Sequence, residues 1–138
     1  MRILGFDYGE KRVGVAVSDE GGAIALPLTT LDRRKNFTGE LRKIAEKYGA
    51  SLIVVGHPLG IDGEEGKMAK KVEKEARRIS NILNIECVLW DERFTSRQAE
   101  NAAEPTRSKK GKKDMVAATL ILQSYLDRLR ARGAVNAE

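Results

Sequence analysis

A change of hydrophobic period along the chain is the feature that most restricts its fold. Residues 13–17 alternate valine with small residues, which is the two-residue period of a half-buried strand. Residues 36–48 place apolar side chains at helical spacing, and residues 52–55 form a short apolar run typical of a buried parallel strand. Helical spacing returns over residues 66–84, before a fifth apolar segment at 87–90. Strands and helices therefore alternate after an initial strand meander, which indicates the α/β class.

Two further strands, at residues 2–7 and 23–31, and a last helix over residues 113–130 complete the predicted elements, with Gly133 beyond the helix end. Pro27 predicts that the third strand lies at a sheet edge or contains a bulge. Because strands four and five follow helical crossovers, we expect them to run parallel to strand one. The pattern fits a ribonuclease-H-like three-layer domain. Such a domain has a mixed five-stranded sheet in the order 3-2-1-4-5, with helices on both faces.

The size and composition of the chain limit the classes of protein that it can represent. With 138 residues, we expect a single domain over residues 1–138 that folds without a disulfide or a structural metal. Cys87 is the only cysteine and His57 the only histidine, which excludes an internal disulfide and a zinc site rich in either residue. No apolar run has the length of a membrane helix, and an acid follows the N-terminus too early for a signal peptide. We therefore expect a cytoplasmic protein that does not contact membranes.

Acidic residues follow strands that the pattern predicts to be neighbours. Asp7 ends the first strand and Glu92 follows the fifth, so both are expected at the edge where the parallel strands end. The strand between them ends at Gly56, and a residue without a side chain leaves space across which Glu92 could reach. Asp114 shares the apolar face of the last helix and is therefore expected to face the sheet. Each acid also has a structural interpretation: Asp7 could cap the following turn, and Asp114 could stabilise a helix N-terminus.

Convergence of three acids is better explained by a cation than by three separate structural roles. Carboxylate oxygens suit Mg²⁺ or Mn²⁺, and a divalent ion relieves their mutual repulsion. Two such ions can activate a water molecule and stabilise the leaving oxygen of a phosphodiester. We therefore expect Asp7, Glu92 and Asp114 to bind Mg²⁺ or Mn²⁺, with two ions when substrate is bound and Asp7 as the bridging ligand.

Basic residues lie beside the predicted acids. The net charge of +5 and the pI near 9.4 favour a polyanionic partner. Residues 105–113 contain no apolar side chain and are predicted to form a solvated loop before Asp114, where backbone phosphates of a substrate could bind. Arg93 could contact the scissile phosphate, or it could pair with Asp91 and hold Glu92. The predicted nucleic-acid-binding residues are Arg12, Arg93, Arg107, Lys109, Lys110, Lys112 and Lys113.

Several other residues receive structural interpretations. Thr95 and Ser96 are expected to cap a short helix near residues 97–103. Trp90 is expected in the core, and the low aromatic content argues against recognition of single strands by base stacking. The many charges of the helix at residues 66–84 are interpreted as a solvated outer face.

Four segments in order resemble the motifs of the RuvX/YqgF family. They are residues 6–19 (FDYGEKRVGVAVSD), 54–66 (VVGHPLGIDGEEG), 91–96 (DERFTS) and 113–118 (KDMVAA). The resemblance implies a ribonuclease-H-like fold related to the RuvC resolvase and a nuclease that processes the 5′ end of pre-16S ribosomal RNA. It also implies an acidic site at Asp7, Glu92 and Asp114. His57 stands where the family usually has leucine, which argues against a general-base role, and Gly60 stands in place of a usual asparagine.

The leading hypothesis is a Mg²⁺- or Mn²⁺-dependent nuclease acting on structured RNA such as pre-rRNA, as a monomer or a weak homodimer. A Holliday junction resolvase is the first alternative, since members of the family have also been described as resolvases; it would require a dimer with two active sites. A catalytically inactive RNA-binding module is the second. Nucleotide binding is a third, because Asp7-Tyr8-Gly9 also resembles a phosphate motif of actin-like ATPases, which need two such domains. RNA and DNA present the same phosphates, so the sequence leaves that choice open.

Overall fold

The computed structural model of the protein describes residues 2–59, 66–92 and 110–136, apart from the side chains of 110, 111 and 133–136. Five strands form one sheet: β1 (Arg2–Tyr8), β2 (Arg12–Ser18), β3 (Ala25–Asp32), β4 (Ala50–His57) and β5 (Glu86–Asp91). Their order is β3-β2-β1-β4-β5, with β2 antiparallel to its neighbours and β4 and β5 parallel to β1. The described helices are α1 (Phe37–Tyr48), α2 (Lys67–Leu83) and, numbered here as the third, α3 (Lys110–Asn136). The predicted strand order and directions are confirmed.

Alternation of side chains along the strands divides the core into two layers. On β1, Leu4, Phe6 and Tyr8 are buried on the face covered by α1 and α2. The residues between them, including Gly5 and Asp7, face α3 on the other side. The sheet therefore lies between helices on both faces, and the predicted three-layer architecture is confirmed.

Glycines on the α3 side of the sheet let that helix lie directly against the strands. A Cβ atom on Gly5 would lie 2.6 Å from the Cβ of Leu122, a distance that real side chains do not adopt. A Cβ atom on Gly14 would overlap the backbone carbonyl of Asp114. Both positions face α3 because strand residues alternate, so the first part of α3 is held close to β1 and β2.

Two boundaries differ from the sequence predictions. The helix α3 begins at Lys110, inside the segment predicted as a loop, and it continues through Gly133 instead of ending near residue 130. Lysine is a good helix former, and an interior glycine costs only about 1 kcal/mol, so neither residue forces a boundary. The third strand follows its prediction more closely. It is an edge strand, and its register with β2 shifts next to Pro27, so both expectations for that proline are confirmed.

Several predicted features lie outside the described residues. They are the short helix near residues 97–103 with Thr95 and Ser96, the position of Gly60, the side chain of Lys110, and Arg93, Arg107 and Lys109. Within the described ranges, no helix is long and apolar enough to cross a membrane.

Candidate active site

Asp7 lies near the end of β1, on the side of the sheet that α3 covers. Its neighbours on β1, Phe6 and Tyr8, point into the opposite layer of the core. Asp7 pairs with Gly14 of β2, and the adjacent β4 residue Val55 pairs with Phe6. The half-buried carboxylate therefore lies in the middle of the sheet edge at which β1, β4 and β5 end.

Glu92 follows β5 directly and extends back across β4. Gly56 of β4 pairs with Trp90, two residues before Glu92. A Cβ atom on Gly56 would lie 2.6 Å from the Oε1 atom of Glu92 and 2.6 Å from the Cδ1 atom of Ile121. The Glu92 carboxylate therefore occupies the space that Gly56 leaves open, and there it forms a side-chain hydrogen bond with Asp7. The structure thus brings Asp7 and Glu92 together across β4.

The two acids titrate far from their ordinary range. Burial, with the nearby charge of Asp114, raises the pKa of Asp7 to about 6, although the hydrogen bond with Glu92 opposes that rise. Burial, the charge of Asp7 and their shared hydrogen bond raise the pKa of Glu92 to about 7, and Asp91 adds to the effect. The pair therefore retains a proton toward neutral pH, because a negative charge on both of two buried, facing carboxylates is unfavourable.

Asp114 completes the predicted set but has a partner of its own. Its backbone packs on Gly14, next to Asp7, so α3 carries it to the same edge of the sheet. Its Oδ2 atom accepts a hydrogen bond from the Nε atom of Arg12 at 3.0 Å, and both side chains are partly exposed. Among the described residues, no three His, Cys, Asp or Glu side chains are close enough together to form a complete metal site. The three acids form a hydrogen-bonded pair with a third carboxylate nearby that is held by an arginine.

The predicted basic residues have different placements. Arg12 lies at the site but pairs with Asp114. Lys112 and Lys113 are exposed, and they lie on the first turns of α3 and not in a loop. Their helical position still places them at the end of α3 that approaches Asp7.

His57 lies on the other side of the sheet from the acids. It is the last residue of β4, it is 8% exposed, and its Nε2 atom is 4.0 Å from the Oε1 atom of Glu73 on α2. Strand alternation separates it from Gly56 and therefore from Asp7. Its position agrees with the expectation that it is not a general base.

Trp90, expected in the core, is partly buried and packs against the core layer beneath α3. It packs edge-to-face on Tyr125, with ring centroids 5.4 Å apart, and its indole N–H donates to the hydroxyl of Ser124. These contacts fix the end of β5 against α3 just before Glu92. Gly14 was not singled out by the sequence reasoning, although its small size within the alternation of β2 was a signal of a close helix approach.

A family model described as "RuvX: Holliday junction resolvase" matches residues 1–128, which is most of the chain. The chain belongs to the RuvX family. A relative from Syntrophus aciditrophicus, named "Putative pre-16S rRNA nuclease", is 46% identical over 133 residues, covering 92% of this chain and 89% of that protein. A relative of the same name from Caldanaerobacter subterraneus is 43% identical over 135 residues, covering 92% of this chain and 96% of that protein.

Solved structures confirm the fold of this RuvX-family chain. RuvC of Thermus thermophilus, in complex with a Holliday junction substrate, superposes with a TM-score of 0.63 at 12% identity over 95% of this chain and 96% of RuvC. The resolvase of Fowlpox virus in complex with junction DNA superposes with a TM-score of 0.61 at 14% identity, over 94% and 99% of the two chains. The predicted family and the predicted ribonuclease-H-like fold are both confirmed.

Proposed function

We propose that this chain is a divalent-metal-dependent nuclease that hydrolyses a phosphodiester bond in the 5′-end processing of pre-16S rRNA. The observation that carries the proposal is the Glu92 carboxylate lying over Gly56 and hydrogen-bonded to Asp7. The nuclease name of the 46% and 43% identical relatives supports the reaction and the substrate.

The residues present fit a divalent cation. The space over Gly56 is kept free for a carboxylate that a Cβ atom would displace, and both acids of the pair have raised pKa values. Carboxylate oxygens are the ligands that Mg²⁺ and Mn²⁺ prefer. Asp7 and Glu92 would hold the cation, with Asp114 as the third candidate ligand. When bound, such an ion supplies a water molecule activated for attack and charge stabilisation at the leaving oxygen.

The other charged groups of the site would balance the charge of the acids and orient the substrate. Asp7 and Glu92 would hold a cation in their ionised forms, because two ionised carboxylates that close together need a positive partner. Arg12 holds Asp114 beside the pair and balances its charge. Lys112 and Lys113, exposed at the same end of α3, would contact phosphates of the bound strand without reading its sequence.

The test is cleavage of an RNA that carries the pre-16S 5′ extension, with Mg²⁺ or Mn²⁺ supplied. We expect cleavage by the unmodified chain and a loss of about a hundredfold or more in Asp7→Asn and in Glu92→Gln. Asp19→Asn is the matched control, because Asp19 caps the β2–β3 turn through the Ala23 and Ile24 amides, away from the site. Equal cleavage by the control and by Asp7→Asn would contradict the proposal.

Holliday junction resolution is the second candidate, because the description of the matching family names it. Resolution requires two active sites that face two strands, and therefore a dimer. Cleavage of a synthetic four-way DNA junction by a dimeric form would favour this function. A monomer that cuts the RNA and ignores the junction would exclude it.

A further inference from the structure

The outward face of α2 is charged with one sign. The helix carries six basic and two acidic residues, and its buried side consists of Ala69, Val72, Ala76 and Ile79. Lys70, Lys74 and Arg77 follow each other at helical spacing on the opposite side, and all three are exposed. A helix face that only meets solvent usually mixes charges of both signs. The helix α1 is an example, with two glutamates and three basic residues.

The acidic residues of α2 do not neutralise this face. Glu75 accepts two hydrogen bonds from the guanidinium of Arg78, at 3.0 and 2.9 Å. Glu73 turns toward the buried ring of His57. Lys70, Lys74 and Arg77 form no ion pair with any other residue that the structure describes. The face defined by these three residues, called here the α2 basic face, therefore presents positive charge that no ion pair among the described residues engages.

A cavity connects the α2 basic face to the edge of the sheet that carries the acids. It has a volume of about 430 Å³, and its charged lining consists of the bases Arg33, Lys71 and Lys74 and the acids Glu10 and Glu75. Lys71 pairs with Glu10 at 3.8 Å, which leaves Lys74 as the lysine of the cavity without an ion pair among the described residues. The Arg33 guanidinium lies 4.2 Å from the centre of the Tyr8 ring and donates to the carbonyl oxygens of Gly9 and Glu10. Tyr8 follows Asp7 directly and points to the opposite side of the sheet. The cavity thus begins one residue from the proposed active site, across the sheet from it.

The direction of α2 determines where a bound polyanion would run. The helix follows β4, whose end lies at the site, and it precedes β5, which begins at the far edge of the sheet. From Lys70 to Arg77 the rise along the helix is about 10 Å, so the three cations span several successive base-pair steps of a double helix. No aromatic side chain lies on α2, so base stacking contributes nothing to this face. Backbone contact with a double helix is the recognition that these groups allow.

We propose that the α2 basic face binds the phosphate backbone of a double-helical arm of the substrate, with Lys74 at the adjoining cavity, so that the substrate crosses the sheet edge at Asp7. The inference rests on the proposed nuclease function and adds the substrate class: a strand to be cut that is joined to a duplex. Lys112 and Lys113 would contact the substrate on the α3 side, and the α2 basic face would contact it on the other.

The test is equilibrium binding of a short blunt RNA duplex, followed by fluorescence anisotropy over a range of KCl concentrations, in the Asp7→Asn background. The variant Lys70→Gln/Lys74→Gln/Arg77→Gln is compared with Arg42→Gln/Lys43→Gln/Lys47→Gln, which removes the same charges from exposed positions of α1. We expect the α2 variant to lose about tenfold or more in affinity and to reduce the slope of log K against log salt by about two to three, with little change in the α1 variant.

Three results would overturn the proposal: an unchanged slope in the α2 variant, equal changes in the two variants, or an equal loss on a single strand of the same sequence. Cleavage by the unmodified chain is measured separately on a substrate with a duplex arm. Failure to cleave together with the expected binding pattern would contradict the nuclease function while supporting the binding surface. Normal cleavage together with an unchanged slope would contradict the surface alone.

Discussion

The Oε1 atom of Glu92 lies against Gly56, only 2.6 Å from the position that a Cβ atom on that residue would occupy. The glycine is the second-last residue of β4, which lies between β1 and β5, and the glutamate directly follows β5. The missing side chain is therefore what allows two acids from strands that are not adjacent to share a hydrogen bond.

Gly56→Ala should separate the acid pair. The added methyl group meets both Glu92 and Ile121, so we expect a loss of stability of about 1–3 kcal/mol and a loss of most cleavage activity. Urea unfolding and cleavage rates measure the two effects. Gly21→Ala is the control, because a Cβ atom there makes only an ordinary 3.6 Å contact with Asp19. A fully active Gly56→Ala variant would mean that the position of Glu92 over β4 is not needed.

Without metal, the stability of the chain should fall as pH rises from about 4 to about 7. Asp7 and Glu92 have folded-state pKa values of about 6 and about 7, above their ordinary values of 3.8 and 4.5. Between these limits the folded state binds more protons than the unfolded state, so raising the pH favours unfolding. Unfolding midpoints measured in EDTA at a series of pH values test this. This decrease in stability should be smaller in Asp7→Asn, and it should also be smaller in the unmodified chain when Mg²⁺ is added. An unchanged pH profile in Asp7→Asn would contradict the prediction.

The Arg12–Asp114 pair should contribute a small coupling energy. Both side chains are partly exposed and their bonding atoms are 3.0 Å apart, so a double-mutant cycle with Arg12→Gln and Asp114→Asn should give about 0.5–1 kcal/mol in urea unfolding. Additive effects of the two substitutions would show that the pair does not form in solution. In that case Arg12 would be free to contact a phosphate, as the sequence first suggested.

Lys112 and Lys113 should contribute to binding of the substrate backbone. Lys112→Gln/Lys113→Gln is expected to lower the salt dependence of RNA binding, with a slope smaller by about one to two. Arg128→Gln/Arg130→Gln removes the same charge from exposed positions near the other end of α3 and should leave the slope unchanged. Equal slopes of log K against log salt in the two variants would mean that Lys112 and Lys113 do not contact the substrate.

Much of the fold could be predicted because period and connection length are local properties of the sequence. The acid pair could also be predicted, since strand order places Asp7 and Glu92 on either side of a strand with a glycine near its end. The contact between Gly14 and Asp114 could not, because it depends on how α3 settles against the sheet. The same holds for the ion pair between Arg12 and Asp114, whose partners are 102 residues apart.

The α2 basic face shows a different limit of sequence reasoning. Residues 1–104 contain equal numbers of basic and acidic side chains, so a count along the sequence assigns the whole net charge of +5 to residues 105–138. The fold places these charges on different faces of the molecule. Equal numbers over residues 1–104 therefore do not mean equal numbers on α2, which carries six basic and two acidic residues. Charge counted by segment therefore missed a cationic surface of three exposed side chains.

Metal binding by Asp7 and Glu92 is tested most directly by a crystal structure of the chain grown with Mn²⁺, in which anomalous scattering locates the ion. We expect a peak in contact with the carboxylates of Asp7 and Glu92, which is lost in crystals of Asp7→Asn. A structure without a peak at these two residues, in crystals of a chain that cleaves RNA in Mn²⁺, would contradict the assignment of the pair as the metal-binding centre.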